Sequence, residues 1–144
     1  MWGCAARAKE SFIADCCEEI EVSVENDAAI LHNAFMGEYS IADEVNGRRY
    51  YTSTTGEQAI WYNKKHNSWA VGVVSDLGTE MRSITSEDGQ SPECPNNVTA
   101  WMYFDTEKFV EGGNDITIAC KEKGTKECII GKWETLIVFF SYML

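Results

Sequence analysis

The sequence predicts an all-β fold, a small antiparallel meander or sandwich-like domain stapled by disulfides. Short runs of alternating apolar and polar residues recur along the chain, which is the pattern of half-buried strands. Gly and Asn stand at the reversals between these runs, and Pro stays in the loops. Cysteines lie at the edges of the first and last runs, at Cys16, Cys17 and Cys120. We therefore expect about six to eight antiparallel strands, with the first and last held together by a disulfide.

The predicted strands follow one another at short intervals. Asn46-Gly47 separates the second strand from the third, and Asn-Gly favours a type I′ hairpin turn because both residues tolerate positive φ. A second hairpin has its loop at residues 63–67, and a loop with Gly112-Gly113 precedes the last strand. Good helix formers also favour a short helix within residues 5–19. The predicted strands cover residues 20–24, 39–42, 48–52, 58–62, 68–74, 81–84, 99–104 and 115–120.

The chain is interpreted as one disulfide-linked β module with two flanks. The module covers residues 16–120, the irregular or short helical N-terminal flank residues 1–15, and the C-terminal tail residues 121–144. The tail ends in an apolar run, residues 136–144, which is too short for a spanning helix of about 20 residues. We expect no membrane span within the chain, and the run to be a last core strand or the start of a longer span. Because the N-terminus does not match an export signal, we expect a fragment of a longer protein or an incomplete gene prediction.

Composition and cysteine usage predict an extracellular or cell-surface location. The formal net charge is −11, from 12 basic and 23 acidic residues, which disfavours nucleic acid and anionic membranes as partners. Six cysteines without a C-x-x-C pair favour disulfides in an oxidising compartment over a zinc site. Asn97-Val98-Thr99 is an acceptor sequence for N-glycosylation. Cys4 and Cys128 lie outside the module and pair with each other or with another chain, or stay reduced. The competing interpretation is a reduced cytosolic protein with scattered thiols.

The aromatic residues of the predicted strands have two interpretations. Most should be core, because a large ring buries about 150–250 Å² when it is enclosed. Adjacent strand residues face opposite sides, however, so one member of Trp61-Tyr62 and one of Tyr50-Tyr51 must leave the core face. We take Tyr50, Trp61 and Tyr62 as candidates for an exposed platform that stacks on sugar rings or protein loops.

A series of short motifs runs through residues 16–120. It comprises Cys16-Cys17, G-x-Y from Gly37, N-G-R-x-x-Y from Asn46, W-x-x-G from Trp69, C-P at Cys94, W-x-Y from Trp101 and the final Cys120. The series resembles a poorly characterised cysteine-containing module of predicted secreted or cell-surface proteins of marine invertebrates and protists. This resemblance implies an extracellular structural or recognition module and transfers no catalytic residue. Family members often have Pro after N-G-R, where this chain has Arg49.

Strand parity favours one cysteine pairing and leaves the others open. Cys16 and Cys120 share the parity of the apolar residues in their runs, so both should point to the core side, and we pair them first. Cys17 then faces the other side, within reach of Cys94. Four cysteines allow three connectivities, and the sequence alone does not decide among them.

Motifs for catalysis and cofactor binding are absent from the sequence, and we assign no catalytic residue, no cofactor and no metal. His32 and His66 are interpreted as surface residues rather than general bases. Carboxylates are numerous enough that some pair will lie close together without forming a glycosidase couple. Asn46-Gly47-Arg48 can also be interpreted as a short adhesive motif. This is a minor alternative, because a turn that needs Asn-Gly geometry explains the motif.

The sequence thus favours a recognition or adhesion module within a larger secreted or cell-surface protein. A carbohydrate ligand stacked on exposed Trp or Tyr is the first specific version, and a protein ligand is the second. One alternative is a small hydrolase that uses a carboxylate pair, which would require a cleft with two acids in opposed environments. Another is a purely structural spacer, expected if every aromatic residue is buried.

Overall fold

The computed structural model describes residues 16–121, of which Cys17–Cys120 form one compact unit. The flank 1–15 and residues 122–144 of the tail, including the apolar run, lie outside the described residues. The expected helix at residues 5–19 also lies mostly outside them. Its described part, residues 16–19, is not helical.

Within the described residues, nine antiparallel strands form a single sheet, which confirms the all-β prediction and exceeds the expected strand number. The sheet order is β8-β7-β6-β5-β4-β3-β2-β1-β9, and it curls into a half-barrel. One short helix, α1 (Asn26–His32), follows the first strand and was not predicted. The strands are β1 (Glu19–Val24), β2 (Gly37–Val45), β3 (Arg48–Ser53), β4 (Gln58–Asn63), β5 (Ser68–Val73), β6 (Ile84–Ser86), β7 (Trp101–Phe104), β8 (Phe109–Glu111) and β9 (Ile116–Cys120).

The Asn-Gly hairpin forms as predicted. Val45 of β2 pairs with Arg48 of β3 across a two-residue loop, and Asn46 and Gly47 have φ values of +56° and +88°. Both positive φ values define the type I′ class, whose twist matches that of the flanking strands. The prediction was less accurate at β6, which begins at Ile84 rather than at residue 81, and β8 was not predicted.

The first and last strands lie side by side, and the disulfide between them joins Cys17 to Cys120. Their Cα atoms are 5.8 Å apart. The expected Cys16–Cys120 and Cys17–Cys94 pairs were therefore wrong. Since β1 begins only at Glu19, strand parity does not extend back to either cysteine, whereas Cys120 lies opposite the inward Ile20 in the register and is on the core side as expected. Cys16 and Cys94 are also disulfide-bonded.

The main core lies on the inner face of the half-barrel. It contains alternate residues of nearly all strands together with Ala28 of α1 and Phe35. A second, smaller cluster of Ala59, Trp61 and Ala70 is buried on the outer face. The inner core consists of Ile20, Val22, Val24, Ala28, Phe35, Tyr39, Tyr51, Ile60, Trp69, Val71, Ile84, Trp101, Tyr103, Ile116 and Ile118.

Residues 74–83 cover the outer cluster. Val74 and Leu77 pack against it, and the Trp61 indole N–H donates to the carbonyl of Thr79 at 3.0 Å. Gly72 of β5 permits this close approach, because a Cβ there would lie 3.0 Å from the Trp61 ring and 3.5 Å from the Arg82 Cα. Strands β4 and β5 are therefore buried on both faces. The outward-facing Thr85 of β6 is buried as well, whereas the outward-facing Phe104 of β7 is exposed.

Candidate functional site

The aromatic platform expected at Tyr50, Trp61 and Tyr62 does not form. Trp61 is completely buried in the outer cluster, so its expected exposure was wrong. Tyr50 is half-buried and packs against the same cluster. The reason is that residues 74–83 fold over this part of the sheet, which strand alternation alone does not reveal.

Tyr62 is half-buried, and the Arg48 guanidinium covers one face of its ring. The guanidinium carbon lies 3.9 Å from the Tyr62 ring centroid, and the Tyr62 hydroxyl donates to the Asn67 side chain at 2.7 Å. The edge of the Trp69 ring is also close, with centroids 6.3 Å apart. Tyr62 is thus part of a packed cation–π arrangement rather than an open stacking surface.

Asn46 and Arg48 of Asn46-Gly47-Arg48 likewise form hydrogen bonds within the domain. The Asn46 side-chain amide donates to the carbonyl oxygens of Tyr62 and Gly78, at 2.8 and 3.2 Å. Arg48 donates to the carbonyls of Ser91 and Pro92 at 3.1 and 3.0 Å. These bonds fasten the hairpin tip to two loops, so the turn accounts for all three residues.

An exposed apolar surface occurs instead where the end of β5 and residues 81–83 meet the end of β7 and the start of β8. Met81 is 62% exposed, Val73 41% and Phe104 37%. Phe109 is half-buried and stands opposite Phe104 in the strand register, with ring centroids 5.3 Å apart. We name this surface the outer patch. Its members are Val73, Met81, Arg82, Met102, Phe104 and Phe109.

Arg82 lies in the middle of the outer patch and is held rigidly. Its guanidinium is 4.8 Å from the Phe109 ring centroid and donates to the Glu80 carbonyl at 2.8 Å. The side chain is only 11% exposed. This burial lowers the pKa of Arg82, against the opposing charges of Asp88 and Glu80, but a guanidinium stays charged in proteins.

Two shallow clefts flank Arg82, and both include Phe109 in their walls. The first cleft, of about 310 Å³, lies over β6 and β7 and is lined by Thr85, Ser86, Glu87, Asp88 and Met102. The second cleft, of about 450 Å³, lies over β5 and the end of β7 and is lined by Gly72, Val73, Asp76, Glu80, Met81, Ser83 and Phe104. Each cleft thus combines an apolar floor with carboxylates.

An ion network borders the clefts. Lys65 binds Glu80 at 2.9 Å, and the two His66 ring nitrogens lie 3.5 Å from Glu80 and 3.4 Å from Asp88. The Lys65 hydrogen bond and charge lower the pKa of Glu80. His66, expected at the surface, is half-buried between these two carboxylates.

The remaining predicted site residues lie elsewhere. Asn97 is exposed next to Cys94, and His32 of α1 is half-buried and donates from Nε2 to the Phe104 carbonyl at 2.8 Å. In the part of the chain that the structure describes, no cluster of His, Cys, Asp or Glu is arranged to hold a metal ion.

Sequence reasoning missed the outer patch, although one signal for it was present. The predicted strand 99–104 contains four consecutive apolar residues, Trp101-Met102-Tyr103-Phe104. Trp101 and Tyr103 enter the inner core, so Met102 and Phe104 must face the other side. Arg82 and Phe109 carried no such signal, because their positions depend on a loop and a strand that the sequence did not predict.

The fold and the site together define a disulfide-linked all-β domain with an exposed apolar patch around a fixed arginine. No known family, no curated protein and no solved structure matches this chain. Among residues 16–121, no helix has the length and apolar character needed to cross a bilayer.

Proposed function

We propose that this chain is a recognition module of a secreted or cell-surface protein and binds a protein partner through the outer patch. The observation that carries the proposal is the grouping of Val73, Met81 and Phe104, all substantially exposed, around one cleft. Contiguous exposed apolar surface is uncommon on proteins that act alone and often marks an interaction site.

The composition of the outer patch suits a protein partner. Methionine, aromatic residues and arginine are enriched in the centres of protein interfaces, and arginine is frequent among the residues that dominate binding energy. Arg82 is already ordered by Phe109 and Glu80. Binding would therefore cost little side-chain entropy at this residue.

The extracellular location rests on separate observations. Disulfides persist mainly in oxidising compartments, and the Cys17–Cys120 bond joins the two ends of the compact unit. Asn97 is exposed within its acceptor sequence, so a glycan can be attached there without disturbing the core.

The alternatives draw less support from the geometry. A sugar-stacking platform needs an open aromatic face, and Trp61 is buried while Arg48 covers Tyr62. A hydrolase needs a carboxyl group with a raised pKa as general acid. Hydrogen bonds lower the pKa of both Glu80 and Asp105 instead. A structural spacer would not require Met81 to be 62% exposed.

The test is a peptide-display selection against the oxidised full chain, followed by binding measurements on surface variants. Met81→Glu should weaken the selected peptides about tenfold or more, because it places a charge in the apolar centre of the interface. Ile30→Glu is the matched control, since Ile30 is 78% exposed on α1, outside the outer patch. It should leave binding unchanged.

Two results would overturn the proposal. Binding that survives Met81→Glu but is lost in Ile30→Glu would place the recognition surface on α1. A selection that yields no binder at all would favour the spacer. Thermal unfolding of each variant verifies that lost binding is not lost folding.

A further inference from the structure

The second cleft is lined by two chemically different kinds of residue. Its apolar residues include Val73, Met81 and Phe104. The acidic residues Asp76 and Glu80 also line it. Building on the proposed function, we infer that this cleft receives a partner segment in which an apolar side chain is adjacent to a lysine or arginine.

The second cleft is large enough for one side chain. A volume of about 450 Å³ falls at the lower end of ligand-binding clefts. Gly72 leaves the floor without a side chain, and the neighbouring Met81 is flexible and polarizable. A methionine wall of this kind adapts to different aliphatic or aromatic groups.

The negative charge that the second cleft offers a ligand comes mainly from Asp76. Glu80 is already paired with Lys65 and His66. In the described part of the chain, no side chain forms a hydrogen bond or ion pair with the Asp76 carboxylate. The backbone carbonyl of Asp76 accepts hydrogen bonds from Thr79. Asp76 therefore presents a negative charge beside an apolar cavity, where a cationic side chain gains most.

The positive charge of Arg82 does not reverse this preference. Its guanidinium stacks on Phe109, donates to Glu80 and faces Asp88 at 4.0 Å. With a side chain only 11% exposed, Arg82 offers little surface to an acidic ligand. The net charge of −11 also attracts basic partners at long range and repels a second copy of this chain.

Methionine methyl NMR on the full oxidised chain tests the inference. With ¹³C-methyl methionine, Met81 reports on the second cleft, Met102 on the first, and Met36, 47% exposed near α1, on non-specific apolar binding. The probes are blocked hexapeptides of alternating Arg and Leu, of alternating Glu and Leu, and of alternating Arg and Ser. We expect the Arg-Leu peptide to shift Met81 at the lowest concentration and to leave Met36 unmoved.

Asp76→Asn should then weaken Arg-Leu binding by up to about fivefold, the size expected for one exposed ion pair. Asp43→Asn is the matched control, because Asp43 is exposed on β2, three strands away from β5. It should change binding by less than about twofold.

The other outcomes separate the inference from the proposed function. Equal binding of the Glu-Leu peptide at Met81 would overturn the inferred preference for a basic partner but would still support the docking surface. Equal binding of the Arg-Ser peptide would overturn the apolar requirement. A shift at Met102 alone would overturn the assignment to the second cleft, and no shift at either methyl would overturn the docking surface itself.

Discussion

The inner face of the sheet is closed by the strands themselves and by α1, whereas the described part of the outer face is covered over β4, β5 and β6 but open at Phe104 of β7. Inner residues such as Ile60 and Val71 have no exposed surface. On the outer face, Trp61 is equally buried under residues 74–83, while Phe104, three strands away in β7, is not. The comparison shows that the same alternating strand pattern yields core or patch according to where one loop crosses.

The largest effect should come from the disulfide that closes the inner face. Replacing both Cys17 and Cys120 with Ser removes a link between residues 103 positions apart. The free energy of unfolding should fall by about 4 kcal/mol, because a long closed loop restricts the unfolded chain strongly. Urea denaturation without reductant measures this change. A loss under about 1 kcal/mol would mean that the β1–β9 ladder and the remaining disulfide bonding hold the inner face without this bond.

Side-chain truncation in the inner core and on the outer patch should lower the free energy of unfolding by clearly unequal amounts. Ile60→Ala removes a completely buried inner side chain and should cost about 2–5 kcal/mol of the free energy of unfolding. Met81→Ala on the outer patch should change it by no more than about 0.5 kcal/mol. Equal losses in chemical denaturation would contradict the distinction between core and patch.

A smaller loss of stability is expected where residues 74–83 pack against the outer face. Gly72→Ala places a Cβ 3.0 Å from the Trp61 ring and 3.5 Å from the Met81 carbonyl oxygen. The crowding should cost about 1–2 kcal/mol and displace the Met81 methyl resonance. Ser75→Ala, exposed in the same covering segment, is the control and should do neither.

The smallest effect appears only in alkaline solution and concerns the inner face. Burial raises the pKa of Tyr51 to about 12, against the charge of Arg49, and the hydroxyl donates to the Cys17 carbonyl at 2.6 Å. A raised pKa stabilises the folded state fully below the unfolded value of about 10, and this contribution is lost as pH rises through about 12. Between these pH values, the free energy of unfolding should therefore fall more steeply with rising pH for the parent than for Tyr51→Phe. Identical slopes for the two proteins would contradict the assignment of this pH dependence to Tyr51.

Short-range features were predicted well because they depend on neighbouring residues. Asn46-Gly47 specifies its turn through backbone sterics alone, and alternation in β1 and β9 identified Ile20, Val22, Ile116 and Ile118 as core. Helix α1 was missed, since its seven residues are too few for a clear helical period. Strand β8, three residues long, likewise offers too little alternation.

The candidate site was predicted poorly because it depends on contacts between distant parts of the chain. Trp61 and Phe104 look equivalent in the sequence, as aromatic residues at outward positions of strands. Trp61 became core because Thr79 and Leu77 fold over it, and Phe104 stayed exposed because no such segment among residues 16–121 crosses β7. The cysteine partner was similarly decided by where β1 begins, not by residue parity.

The sequence by itself determined the strand-rich class, the hairpin at Asn46-Gly47, the apolar faces of β1 and β9, and the disulfide-linked contact between these first and last described strands. Each of these follows from backbone geometry or from the burial of apolar side chains, which act over a few residues. Only the tertiary structure decided which outward side chains are covered, that Cys17 rather than Cys16 bonds to Cys120, and that Arg82 stands between two clefts. Those outcomes depend on how a loop packs across several strands, and local sequence patterns carry no information on that packing.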